Sequence, residues 1–118
     1  MASNYDTGAR ILLVAASLAG AGGVMAAAAA SHGESRNLAA IAAICLAHGP
    51  ALLALGLAGR GRVLRGAGMV LALGTLLFAA DLGVREMLGH GLFPGAAPLG
   101  GIAMILGWVA IAVGGWLC

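Results

Sequence analysis

Charged side chains divide this chain into long apolar stretches. Arg10 and Glu34 enclose 23 uncharged residues, Arg36 and Arg60 another 23, Arg65 and Asp81 enclose 15, and 32 uncharged residues follow Glu86. Each stretch is continuously apolar. A membrane strand would instead alternate apolar and polar residues over segments of about 10 residues. A hydrocarbon core about 30 Å thick takes roughly 20 helical residues, and within it backbone groups must pair inside the protein. The pattern predicts an all-α fold: an integral membrane four-helix bundle in a single transmembrane domain, residues 1–118, with helices over about 8–31, 38–58, 63–88 and 97–117.

The predicted connections are short, which makes sequence neighbours antiparallel. Arg10, Arg60, Arg62 and Arg65 fall at one membrane face, Arg36 and Arg85 at the other. A basic excess marks the cytoplasmic side, so both termini are expected in the cytoplasm of a multi-pass protein of the bacterial inner membrane. The first apolar run, closed by Ala26 to Ser31, also resembles a signal peptide. Its length exceeds the 7 to 15 residues usual for such a hydrophobic region, so a retained span is expected.

Composition narrows the function. Mean hydropathy is +1.05 and 8% of residues are charged, against about 25% in soluble domains, which leaves no room for a soluble domain. The net charge of +2 comes from six Arg and no Lys. It is too small and scattered for nucleic acid, although Arg60, Arg62 and Arg65 can attract anionic lipid at about 1 kcal/mol each. Cys45 falls mid-helix and Cys118 ends the sequence; they form no metal or redox motif, and no disulfide is expected. Phosphate-cradling, zinc-protease, CxxC and nucleophile-elbow motifs are absent. The expectation is a protein that is not an enzyme, with no catalytic residue, no cofactor and no metal site.

Lipid tails are as apolar as Leu, so close contact between small residues must join the helices. Helix 1 offers Ala15, Ala19, Gly23 and Ala27, with Ala16 and Gly20 beside them; helix 2 offers Ala39, Ala43 and Ala47. Helix 3 offers Gly66 and Gly74, and helix 4 offers Ala103, Gly107, Ala110 and Gly114. Gly20, Gly23, Gly74 and Gly107 are the expected packing residues, in a compact bundle with short interaxial distances.

Two polar groups stand out. At about 1.5 Å per residue, His48, Thr75 and Trp108 reach similar mid-membrane depth, with Ser17 close by. The expected layer has His48 bonded to Thr75, to the Trp108 indole or to a backbone carbonyl. Pro50 frees the Leu46 carbonyl as a nearby acceptor. The readings open for His48 are a neutral interhelical hydrogen bond, a proton or cation relay, or a ligand contact. At the outer face, Asp81 and Arg85 have the spacing of a helical ion pair, and His32, Glu86 and His90 are placed to converge with them. Mixed His and carboxylate groups suit zinc, but no ligand spacing supports a metal.

Several segments carry a family likeness. Leu71-Ala-Leu-Gly-Thr-Leu-Leu-Phe78, Ala97-Pro-Leu-Gly-Gly101 and Gly107-Trp108 resemble the small membrane proteins of domain-of-unknown-function family 423, to which eukaryotic transmembrane protein 256 is related. Ala30-Ser31-His32 approximates the family's Gly-Ala-His element, and Ala47-His48-Gly49-Pro50 stands where it has an aromatic-His element. The resemblance covers about Val14 to Trp116. It implies a four-helix membrane protein without an assigned activity and points to His32 and His48. The chain departs from the pattern at Ala47, at Gly49-Pro50 and at Asp81-Leu82-Gly83, as a divergent member would.

The function expected is that of a non-catalytic accessory or structural subunit, packing through small-residue faces in a larger inner-membrane assembly. Its partners would be membrane lipids and other membrane subunits or further copies of itself. The alternatives are a small proton or cation transporter or channel using His48 and Asp81, and a lipid- or quinone-binding protein with a pocket at the Pro50 kink.

Overall fold

The computed structural model describes residues 5–117. The reading of Cys118, and of the polar tail over residues 1–4, lies outside the described residues. The described chain forms α1 (Thr7–Ala30), α2 (Arg36–Ala58), α3 (Gly61–Leu88) and α4 (Ala96–Leu117). They contain 24, 23, 28 and 22 residues, each long and apolar enough to cross a membrane. This is the all-α architecture of a small multi-pass membrane protein.

Local chemistry sets the helix ends. The Asp6 carboxylate accepts the Ala9 N–H at 2.7 Å and starts α1. The Ser35 hydroxyl accepts the Leu38 N–H at 3.1 Å and starts α2, two residues before the sequence expectation. Side-chain oxygens at this position satisfy N–H groups that have no partner in the helix. Gly89 ends α3 with φ +80, a left-handed conformation that side chains resist. Pro98 sits in the first turn of α4, where its missing N–H costs little.

The helices form two hairpins, α1–α2 and α3–α4, joined by α2 against α3, with a smaller contact between α1 and α3. No described Cα of α4 comes within 8 Å of α1 or α2. The result is a flattened bundle of 43 × 34 × 20 Å. Its long dimension matches α3, which at about 1.5 Å per residue is roughly 42 Å long. Its thin dimension is about two helix diameters. Leu12, Leu52 and Leu71, together with Met104, fill its centre.

Glycines set the closest approaches. In α1–α2, a Cβ on Gly49 would lie 3.2 Å from the Gly20 nitrogen. A Cβ on Gly23 would lie 2.9 Å from Leu46 Cγ. In α3–α4, a Cβ on Gly74 would lie 2.8 Å from the Gly100 carbonyl oxygen, and one on Gly100 would lie 2.8 Å from the Gly74 oxygen. Gly107 leaves room for Leu71. The expected small-residue face of α2 differs: Ala39, Ala43 and Ala47 are exposed, and Ala42, Gly49 and Gly56 are buried instead. α2 lies between α1 and α3 and buries the stripe Ile41, Cys45, His48, Leu52 and Leu55. The small residues beside that stripe, at seven-residue steps, are the ones that meet α1. Gly66 is likewise exposed, with nothing near its Cβ position.

Polar contacts tie the helix ends. Arg65 Nη1 of α3 donates to Asp6 Oδ1 at 2.6 Å, which joins the beginnings of α1 and α3. At the opposite end the Ser35 hydroxyl donates to Glu86 Oε1 at 2.5 Å and the Asn37 amide donates to the same oxygen at 3.4 Å. These contacts join the beginning of α2 to the end of α3, as antiparallel neighbours require. The Arg65 guanidinium, with a smaller contribution from the Ala9 N–H, holds the Asp6 carboxyl below its ordinary value of 3.8.

Two predictions follow from this packing. Ala is intrinsically better than Gly inside a helix by about 1 kcal/mol, whereas overpacking costs about 1–3 kcal/mol. Gly101 has nothing within 4 Å of its Cβ position, but Gly100 faces backbone that cannot yield. Thermal unfolding in detergent should therefore show Gly101→Ala neutral or stabilising and Gly100→Ala destabilising; equal effects would contradict the α3–α4 contact. The Asp6 carboxyl is depressed in the folded state, so its contribution is present above the unfolded value near 3.8 and lost as pH falls through the lower folded value. The melting temperatures of wild type and Asp6→Asn should differ at pH 6 and converge as the pH drops below about 4. A gap that persists in acid would remove the role assigned to this carboxylate.

Candidate functional site

Helix periodicity places His48 on the buried stripe of α2, between Cys45 and Leu52. It is 12 residues from the start of α2 and 10 from its end, hence near the middle of the span. Trp108 of α4 reaches it across α3: the indole Nε1–H donates to His48 Nε2 at 3.0 Å. The rings stand edge to face, with centroids 5.6 Å apart and planes at 69°.

The pairing fixes the state of the imidazole. An indole N–H is donor only, so Nε2 must be the bare acceptor nitrogen. The proton then sits on Nδ1, which donates to the Ile44 carbonyl oxygen at 2.9 Å. Both ring nitrogens of a neutral His48 are thus engaged. A second proton would set Nε2–H against the indole N–H, so a charged His48 and this bond exclude each other. The partner carbonyl is that of Ile44, not the Leu46 carbonyl that Pro50 releases. Side chains on a helix lean back over the turn before them, which brings the carbonyl four residues earlier within reach of Nδ1. Pro50 itself is exposed.

Of the expected mid-membrane layer, His48 and Trp108 come together. The Thr75 hydroxyl is buried but donates to the Leu71 carbonyl of its own helix at 2.7 Å. The Ser17 hydroxyl donates to the Leu13 carbonyl at 2.9 Å and is exposed. A hydroxyl in a helix can satisfy itself on the preceding turn, so neither residue needs His48.

Near the C-terminal end of α3, Asp81 has 0% exposure. It lies seven residues before the end of α3, or about 10 Å along the helix. Arg85 Nε donates to Asp81 Oδ2 at 2.9 Å, and the Leu92 backbone N–H donates to Oδ1 at 2.8 Å. A buried carboxylate is tolerated when its charge is paired and its lone pairs are occupied. Gly91 makes this possible: a Cβ there would collide with both Asp81 and Arg85. The α3–α4 loop is therefore drawn over the carboxylate, a contact that depends on the path of the loop and has no signal in the sequence.

The remaining residues of the expected cluster do not join Asp81. Glu86 binds Ser35 and Asn37. His90 is exposed and its Nδ1 lies 3.0 Å from the Gly91 carbonyl. His32 is exposed in the α1–α2 turn. Among the described residues, no three His, Cys, Asp or Glu side chains come together to hold a metal ion. The site is thus two separate devices: a neutral His–Trp bond joining α2 to α4, and an ion pair that anchors a loop.

The Asp81 contacts generate a prediction. Asn keeps an oxygen where Oδ1 accepts the Leu92 N–H, whereas Ala removes it. In hydrogen exchange, Asp81→Asn should retain Leu92 amide protection and Asp81→Ala should lose it. Arg85 is 43% exposed and can turn to water, so Asp81→Ala should cost about 1–3 kcal/mol, as for an orphaned polar group, and not the 3–5 of a stranded buried charge. Equal Leu92 exchange in wild type and Asp81→Ala would contradict the anchoring.

No protein-family model matches this chain, and no solved structure matches it.

Proposed function

We propose that this small membrane protein is a non-catalytic accessory or structural subunit of a larger bacterial inner-membrane assembly, with both termini in the cytoplasm. The observation that carries this reading is the internal use of its polar groups. Ser17, His48, Thr75, Asp81 and Trp108, which lie within the spans, all bond to groups of the same chain. A transporter needs polar groups that exchange partners along a path. Here the two groups best placed for that role are engaged, His48 at both nitrogens and Asp81 at both oxygens. The flattened shape supports association, because α1 and α4 form separate edges that a neighbouring subunit can cover. The motifs around Leu71 to Phe78 and Ala97 to Gly101 support placing the chain as a divergent member of the domain-of-unknown-function family 423.

The test is purification of the full chain from its native membranes in a mild detergent. Elution within a larger complex at fixed stoichiometry is the expected result. A lone monomer across several mild detergents would overturn the reading.

A further inference from the structure

An apolar groove runs between α1 and α3 over α2. Its volume is about 290 Å³, and its lining includes Ala15, Ala19 and Gly22 of α1, Cys45 of α2, and Thr75 and Ala79 of α3. The Thr75 hydroxyl is turned to its own backbone, so the groove offers little to a polar ligand. A second depression along α1, lined by Thr7, Arg10 and Val14, shares Ile11, Ala15 and Leu18 with it. The two depressions adjoin along α1, from its first turn to the groove. From Arg10 to Gly22 they descend 12 residues, or about 18 Å. One leaflet of a hydrocarbon core is about 15 Å deep, so the groove crosses the leaflet at the Arg-rich end and, at Ile41 and Ala79, continues past the middle of the spans.

Its mouth carries charge. Arg10 is exposed and has no ion pair or side-chain hydrogen bond among the described residues. Arg60 and Arg62 are exposed at the same end of the bundle. Arg65, by contrast, is neutralised by Asp6. A free cation at the headgroup level, at the head of an apolar groove that crosses its leaflet, complements a lipid with an anionic headgroup and an acyl tail. We propose that this groove holds an anionic phospholipid of the leaflet at the Arg-rich end, with one acyl tail along α1 between α1 and α3 and the phosphate against Arg10. The site does not depend on the accessory-subunit reading, since a monomer can bind such a lipid.

The test uses the full chain in neutral detergent, with phosphatidylglycerol and phosphatidylcholine of identical acyl chains as probes and native mass spectrometry as readout. The wild type should retain phosphatidylglycerol preferentially. Arg10→Gln should reduce that preference about fivefold, the ratio expected for one surface Arg, and Arg36→Gln at the opposite end should leave it unchanged. Gly22 has nothing within 4 Å of its Cβ position, so Gly22→Leu fits the fold and fills the groove; it should lower retention of both lipids while thermal unfolding stays near wild type. Equal retention of the two probes overturns the proposal. So does an Arg36→Gln effect matching that of Arg10→Gln, undiminished binding in Gly22→Leu, ubiquinone displacing the phospholipid, or a dimer that excludes both lipids.

Discussion

Lipid gives apolar helices no reason to prefer one another over the solvent. What holds this chain together must therefore be contact closer than lipid can make, and hydrogen bonds that have no water to compete with. Backbone meets backbone at Gly74 and Gly100 and at Gly20 and Gly49. The His48–Trp108 bond is a hydrogen bond of that kind, mid-span, while exposed polar ties fix the helix ends: Asp6 with Arg65 at one face, and Ser35 and Asn37 with Glu86 at the other. α3 takes part at both faces and packs on α2 and α4, so it is the element to which the other three are referred.

The order of the helices was legible because charge marks the ends of spans so sharply. Arg10, Glu34, Arg36, Arg60 and Glu86 bracket the apolar runs, and the observed elements start and stop within two residues of the expected positions. Depth was legible too, because the rise per residue alone brings His48 level with Trp108. Helix faces were harder to read. In water the polar side of a helix identifies its buried side by contrast; here both sides are apolar, and 21 glycines offer many plausible seams. The stripe Ala39, Ala43, Ala47 was as attractive as Ala42, Gly49, Gly56, and only the position of α2 between two neighbours separates them. The roles of Asp6 and Ser35 as helix starters were available in the sequence, since each stands just ahead of an apolar run. The Asp81–Leu92 contact was not, because it depends on the path of a loop.

The flattened shape links packing to function. A closed square of helices would bury each polar group by symmetry and leave a uniform exterior. This arrangement leaves α4 reaching α2 through a side chain, and leaves α1 and α3 splayed over α2 around an apolar groove. Its interior chemistry is satisfied and its distinctive surface is apolar, with a cationic rim. Such a molecule acts through what lies beside it in the bilayer.

The His48–Trp108 bond is the most exacting feature of this arrangement, because it sets a tautomer and a helix pairing at once. Nitrogen-15 solid-state NMR of the chain in lipid bilayers at neutral pH measures both. The structure requires a protonated Nδ1 and a bare Nε2 on His48, with Nε2 correlated through the hydrogen bond to a Trp108 indole N–H that exchanges slowly with water. Two protonated ring nitrogens, or an indole N–H in rapid exchange and uncorrelated with His48, would contradict it.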